Sequence, residues 1–174
     1  MRRQEQKDII QYLVENGVSG KVKIQKAAYF IQEALQVPLG YDFVMHYYGP
    51  YAFEIDDMLT EMQSEGILRM TAQWYQNGLG YSISKGKNAG EVKLSEDIMD
   101  KAQRVASFSK KRTAEVMELC ATIHFVKKIL EDRQDPYDTE RIIYEVKRLK
   151  PKFSEESISK YYQTLEAEGL LAAN

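Results

Sequence analysis

Residues 67–84, ILRMTAQWYQNGLGYSIS, decide the fold of this chain. Two runs of strand character, ILRMTAQWYQ and GYSIS, flank the turn-rich Asn77-Gly78-Leu79-Gly80, which predicts a β-hairpin. Upstream the hydrophobic period is helical. Ile9, Ile10, Leu13 and Val14 form one stripe, and Gly17 follows as a stop. Ser19 is placed to cap a second helix with Ile24, Ala27, Ala28, Ile31 and Leu35 on its apolar face, ended by Pro38 and Gly40. Residues 42–48, DFVMHYY, read as a short strand broken by Gly49-Pro50, with Pro50 suited to the first turn of a third helix. Tyr51, Ile55, Met58, Leu59 and Met62 share a face of that helix, and Gly66 ends it. Three helices, a short strand and a hairpin give a winged-helix-like order. The segment KGKNAGEVK after the hairpin reads as an exposed, mobile basic loop.

Downstream the pattern is helical throughout. Ser95, Asp138 and Ser154 stand at N-cap positions, before stripes such as Ile98, Ala102 and Val105, or Ile142, Ile143, Val146 and Leu149. The last stripe is Ile158, Tyr161, Tyr162 and Leu165, with Gly169 as its stop. Between them Val116, Leu119, Cys120, Ile123, Val126 and Leu130 mark a long central helix. The expected class is mainly α with a small β-hairpin. A winged-helix-like domain is expected over residues 1–92, with a helical subdomain over residues 93–174 packed on it.

Composition narrows the function classes. The 174 residues carry 24 basic and 26 acidic side chains, so net charge supplies no global attraction to nucleic acid. One cysteine excludes an internal disulfide and a multi-cysteine zinc site. No apolar run reaches the length of a membrane span, and no apolar stretch follows the basic N-terminus as in a secretory signal, so a cytoplasmic protein is expected.

Residues able to carry catalysis are few. His46 and His124 are the two histidines, and Cys120 stands four residues before His124 on one helix face. A thiol–imidazole pair can be read there, but the cysteine lies in the apolar stripe and no third ligand or activating motif accompanies it. Phosphate loops, nucleophile elbows and dinucleotide fingerprints are missing, so the chain reads as a non-enzyme without a cofactor. The third helix would be the groove reader of a DNA-binding winged helix. It carries Glu54, Asp56, Asp57, Glu61 and Glu65 and no Lys or Arg, which repels phosphate. Basic residues sit elsewhere: Lys21, Lys23 and Lys26 open the second helix, Lys85, Lys87 and Lys93 lie around the loop, and Lys110, Lys111 and Arg112 form a run. Twelve tyrosines are a further signature, with Tyr41, Tyr47, Tyr48 and Tyr51 crowded around Gly49-Pro50. Tyrosine combines large contact area with little ordering entropy, which suits protein interfaces.

The stretch KIQKAAYFIQ (residues 23–32), followed by FVMHYYGPY (residues 43–51) and a helix ending EGIL, resembles the Panacea domain of SocA-like antitoxins and the related YwgA-like bacterial proteins. Lys23, Gln25, Lys26, Tyr29, Tyr48, Gly49 and Pro50 match the family's Lys-x-Gln-Lys-x-x-Tyr helix and Tyr-Gly-Pro turn, over about residues 20–68. The later KRLKPKFSEESI resembles the C-terminal half of YwgA-like members. The resemblance implies a non-enzymatic interaction domain, antitoxin-like or adaptor-like. The expected partner is therefore a protein, with a toxin or a protease substrate among the candidates. The expected contact residues are Lys23, Lys26, Tyr29, Tyr48, Gly49, Pro50, Tyr51, Glu54 and Asp57. A homodimer through the apolar C-terminal helices is a further expectation. The alternative is a DNA-binding regulator that uses the wing and the basic loop.

Overall fold

The computed structural model describes residues 1–75 and 78–171. Helices α1 (Arg3–Glu15) and α2 (Lys21–Tyr29) come first, and α2 widens into a π-helical segment over Phe30–Ala34. A first hairpin follows, β1 (Val44–His46) and β2 (Gly49–Tyr51), then α3 (Phe53–Ser64). The second hairpin is β3 (Leu68–Tyr75) and β4 (Gly78–Lys85). Four helices complete the described chain: α4 (Glu96–Lys110), α5 (Ala114–Asp132), α6 (Thr139–Leu149) and α7 (Glu155–Ala167). The fold is mainly α with small antiparallel hairpins. Among the described residues, no helix is long and apolar enough to cross a membrane.

Two helices organise the core. Every residue of α2 from Ile24 on is buried, as are Phe30 and Ile31 of the π segment. A helix buried on so many faces must be covered by several neighbours. Helices α1, α4 and α5 and strand β2 pack against α2. Helix α5 in turn packs against α6 and α7. Buried side chains on both sides of residue 92, such as Ile24, Phe30, Phe108, Cys120 and Ile123, belong to one continuous apolar cluster. The caps at Ser95, Asp138 and Ser154 are made as the sequence indicates, each side chain accepting a hydrogen bond from the backbone N–H three residues on.

Several local expectations need correction. Ser19 does not cap α2; Gly20 holds that position with φ 100°, and the Ser19 hydroxyl instead bonds both backbone groups of Ile83 at 3.0 Å. The second helix ends well before Pro38, and Gln36 takes a left-handed φ of 56°. Pro50 is not in the first turn of α3. It lies in β2 opposite Met45, so the expected single strand is a hairpin, and β1 pairs with β2 and not with the wing. Leu79 and Gly80 belong to β4, opposite Trp74 and Gln73, while Asn77 lies outside the described residues. Leu149 is exposed. The basic loop is tied down: Gly86 N–H donates to Ile67 O, Asn88 N–H to Gly66 O, Lys93 N–H to Asp8, and Gln11 to Gly90 O.

Candidate functional site: an aromatic hairpin seated on buried lysines

The motif residues of α2 face the first hairpin from within. Gln25 and Lys26 are each 1% exposed. The Gln25 carboxamide donates to Ala52 O at 2.9 Å and accepts from Ala52 N–H at 3.0 Å, as a neighbouring strand would. Lys26 Nζ donates to Pro50 O at 2.6 Å. Near the end of α2, the Tyr29 hydroxyl and His124 Nδ1 share a hydrogen bond of 2.7 Å, and the Tyr29 ring meets Phe43 edge-on. These contacts place β2 across α2 and α5.

A second clamp comes from the far end of the chain. Glu118 of α5 is buried, yet its carboxylate meets two lysines: Lys152 Nζ at 2.8 Å from Oε2, and Lys150 Nζ at 3.0 Å from Oε1, the latter an ion pair without hydrogen-bond alignment. Lys150 also donates to the carbonyls of His46 and Tyr47 at the hairpin turn. Gly49 makes the close seating feasible. Its φ is +84°, and a Cβ there would stand 3.0 Å from Thr122 Oγ1 and 3.3 Å from Glu118 O. Tyr47 and Tyr48 keep ordinary backbone angles, so the left-handed residue that closes the turn is Gly49.

Lys150 and Lys152 thus pair with one buried carboxylate, and Lys26 lies near enough to feel its charge. Burial pushes the Lys26 ammonium down to about 7; Lys150 adds to the depression and Glu118 opposes it. The ammonium groups of Lys26 and Lys150 donate to the backbone carbonyls of Pro50, His46 and Tyr47 and so hold the hairpin. An open groove runs between Met45–Tyr47 of the hairpin and the turn at Leu149–Lys152, with Glu118 at its floor.

The outer surface of the hairpin is aromatic. His46 stacks on Tyr51 at 5.1 Å, and Phe53 meets Tyr51 edge-on at 5.0 Å. Tyr47 is 83% exposed, Phe53 61% and Tyr48 58%, an unusual presentation for large rings that buried surface would favour. Burial and the nearby Asp56 and Asp57 push the Tyr51 phenol up to about 12. Glu54 and Asp57 are exposed at the start of α3 and edge the patch with negative charge.

The expected contact residues therefore fall into two groups. Lys26 and Tyr29 are buried beneath the hairpin and Gly49 and Pro50 are buried within it, so these four of the expected contact residues are not on the surface. Tyr48, Glu54 and Asp57 are on the surface, Tyr51 is half-buried, and Lys23 is half-buried with its ammonium pKa lowered by desolvation. Sequence reasoning did not single out the exposed rings of Tyr47 and Phe53 for the contact set, nor Glu118, Lys150 and Lys152 as supports of the hairpin. A lone glutamate inside the α5 stripe and two lysines around Pro151 were the available signals.

The remaining candidates are accounted for by packing. The Cys120 thiol is pushed up to about 12 by burial, and the His124 ring is pushed down to about 4 by burial with Lys127 adding to it. Neither is in the state a thiolate–imidazolium pair requires. Among the described residues, no three His, Cys, Asp or Glu side chains gather as a metal site would need. The acidic face of α3 is partly neutralised within the fold: Glu61 pairs with Arg3 and Lys7, Glu65 with Lys7 at 2.8 Å, and Asp56 with Lys21 at 3.3 Å. No protein-family model matches the chain, and no curated protein matches it.

Proposed function

We propose that this chain is a non-catalytic protein-interaction module, antitoxin-like or adaptor-like as its Lys-x-Gln-Lys-x-x-Tyr and Tyr-Gly-Pro motifs imply, which engages a protein partner through the β1–β2 tip. The observation that carries the reading is the exposure of Tyr47, Tyr48 and Phe53 on a hairpin fastened by Gln25, Lys26 and Lys150. A rigid aromatic cluster loses little entropy on binding, and the surrounding scaffold has already fixed its backbone. The acidic edge at Glu54 and Asp57 favours a partner whose apolar patch is flanked by basic residues. DNA binding through the wing is the weaker reading. From residue 70 to residue 84 the hairpin sequence carries no charged side chain, and Lys85 at its root already pairs with Glu15 at 2.8 Å.

Affinity capture from the native host with the full chain as bait tests the proposal. A stoichiometric protein is expected with the wild-type chain and is lost when Tyr47 and Tyr48 are both changed to Ser. Recovery of nucleic acid alone, or of a protein indifferent to that double change, removes the reading.

A further inference from the structure

The second hairpin has one apolar face and one polar face, and the chain covers only half of the apolar one. Cross-strand pairs on that face are Met70 with Ile83, Ala72 with Tyr81, and Trp74 with Leu79. Ile83 is buried at the root, but Trp74 is 78% exposed, Leu79 55% and Tyr81 38%. That stripe begins in the core and continues into solvent, where it flanks the free edge of β3.

The two edges of the hairpin differ. The Ser19 hydroxyl bonds both backbone groups of Ile83, and Gly20 closely approaches Tyr81 O, so the outer edge of β4 is closed near its root. Because Ile83 turns its N–H and C=O outward, its partner Met70 does the same on β3, and so do Ala72 and Trp74 by the period of two. Those outward groups have no backbone partner among the described residues, and Thr71 to Tyr75 are all exposed. Folded proteins usually guard such an edge with lysine, proline or a bulge. Between Met70 and Tyr75 there is no charge and no proline.

We infer that β3 pairs antiparallel with β3 of a second copy of this chain, joining the two hairpins into a four-stranded sheet. A two-fold axis through Ala72 sets Met70 opposite Trp74 of the second copy, so the outward N–H and C=O groups of residues 70, 72 and 74 meet their own kind in register. The same axis keeps the apolar faces on one side and sets Arg69 opposite Tyr75 of the second copy, so no like charges meet in the seam. Self-pairing penalises any charge near the axis, since it meets its own copy, whereas a foreign partner could match charge with opposite charge. The charge-free stretch from residue 70 to residue 84 is what self-pairing requires. A seam of one short strand pair, in which Trp74 packs beside Met70 of the second copy, is smaller than the about 1,200–2,000 Å² that stable interfaces bury, so weak association, with a dissociation constant of roughly micromolar order, is expected.

Sedimentation equilibrium of the full chain over a wide micromolar concentration range tests this inference, beside Ala72→Lys and Trp74→Ser. Ala72→Lys sets two ammonium groups opposite each other on the axis, and at least about tenfold weaker dimerisation is expected. Trp74→Ser, at a position open to solvent, provides a second variant should the lysine disturb folding; circular dichroism melts check both. A chain that stays monomeric across the range overturns the inference. So does a dimer that neither substitution weakens, or one broken instead by Tyr144→Ser and Leu149→Ser on α6. Neither hairpin variant alters residues 44–53, so partner capture reports separately on the proposed function.

Discussion

Gln25 does the work of a strand with a side chain. Both polar groups of its carboxamide meet the backbone of Ala52 in a site from which water is excluded. Gln25→Leu keeps the volume and strands one N–H and one C=O, so a loss of roughly 2–4 kcal/mol is expected, read as a lower urea midpoint at unchanged slope. His124 gives the fold an acid limit. Its folded pKa of about 4 lies below the ordinary 6.5, so between those values the unfolded chain binds a proton that the folded chain refuses. The His124 contribution is therefore full above about pH 6.5 and is lost as the pH drops toward 4, by about 3 kcal/mol. His124→Asn should remove that dependence, and urea titrations at pH 7 and pH 4.5 measure the difference. Glu61, held down to about 2 by Arg3 and Lys7, acts in the same direction at lower pH. The identities of these residues were visible in the sequence, but their roles were not. A lysine in a helix ordinarily reads as surface, and only the Pro50 carbonyl and Glu118, both distant along the chain, explain why Lys26 points inward.

At the level of elements, the first hairpin is shaped by what lies under it. Gly49→Ala brings a methyl group against Thr122 Oγ1 and also strains a backbone held at φ +84°. A cost of about 1–3 kcal/mol is expected, with faster amide exchange at residues 44–51 as the hairpin lifts from α5. Adding Thr122→Ala relieves the contact and leaves the backbone strain, so partial recovery is expected. The helices were readable because their caps and stripes are local, as at Ser95, Asp138 and Ser154. Pro50 was misread for a physical reason. Proline fits the first turn of a helix, and it equally fits a short strand whose carbonyl, not its missing N–H, makes the decisive bond. The π segment after Tyr29 left no trace in the apolar period because inward residues run continuously from Ile24 to Ile31.

Across the whole molecule, the charge pattern separates the two functional readings. Arg3, Lys7 and Lys21 are occupied by Glu61, Glu65 and Asp56, and Lys85 by Glu15, so Arg69 at the root of the wing and Lys87 and Lys93 in the loop are the cations there outside these pairs, too few and too scattered for a groove of phosphates. No mobility shift of duplex DNA is expected even at low salt. A shift that vanishes steeply as salt rises would restore the DNA-binding reading. The class, mainly helical with a hairpin after the third helix, was legible because helical and strand periods alternate clearly along the chain. The exposed aromatic surface was half legible. The crowd of tyrosines around Gly49-Pro50 marked the place, while burial decided which of them face out, and burial depends on α5 and the turn at Pro151.

Lys150 reaches back more than a hundred residues to grip the carbonyls of His46 and Tyr47. During synthesis those carbonyls leave the ribosome long before the ammonium group that will hold them. The hairpin tip thus acquires this foothold only after residue 150 has emerged, and a nascent polypeptide halted earlier displays aromatic rings without the brace that orients them.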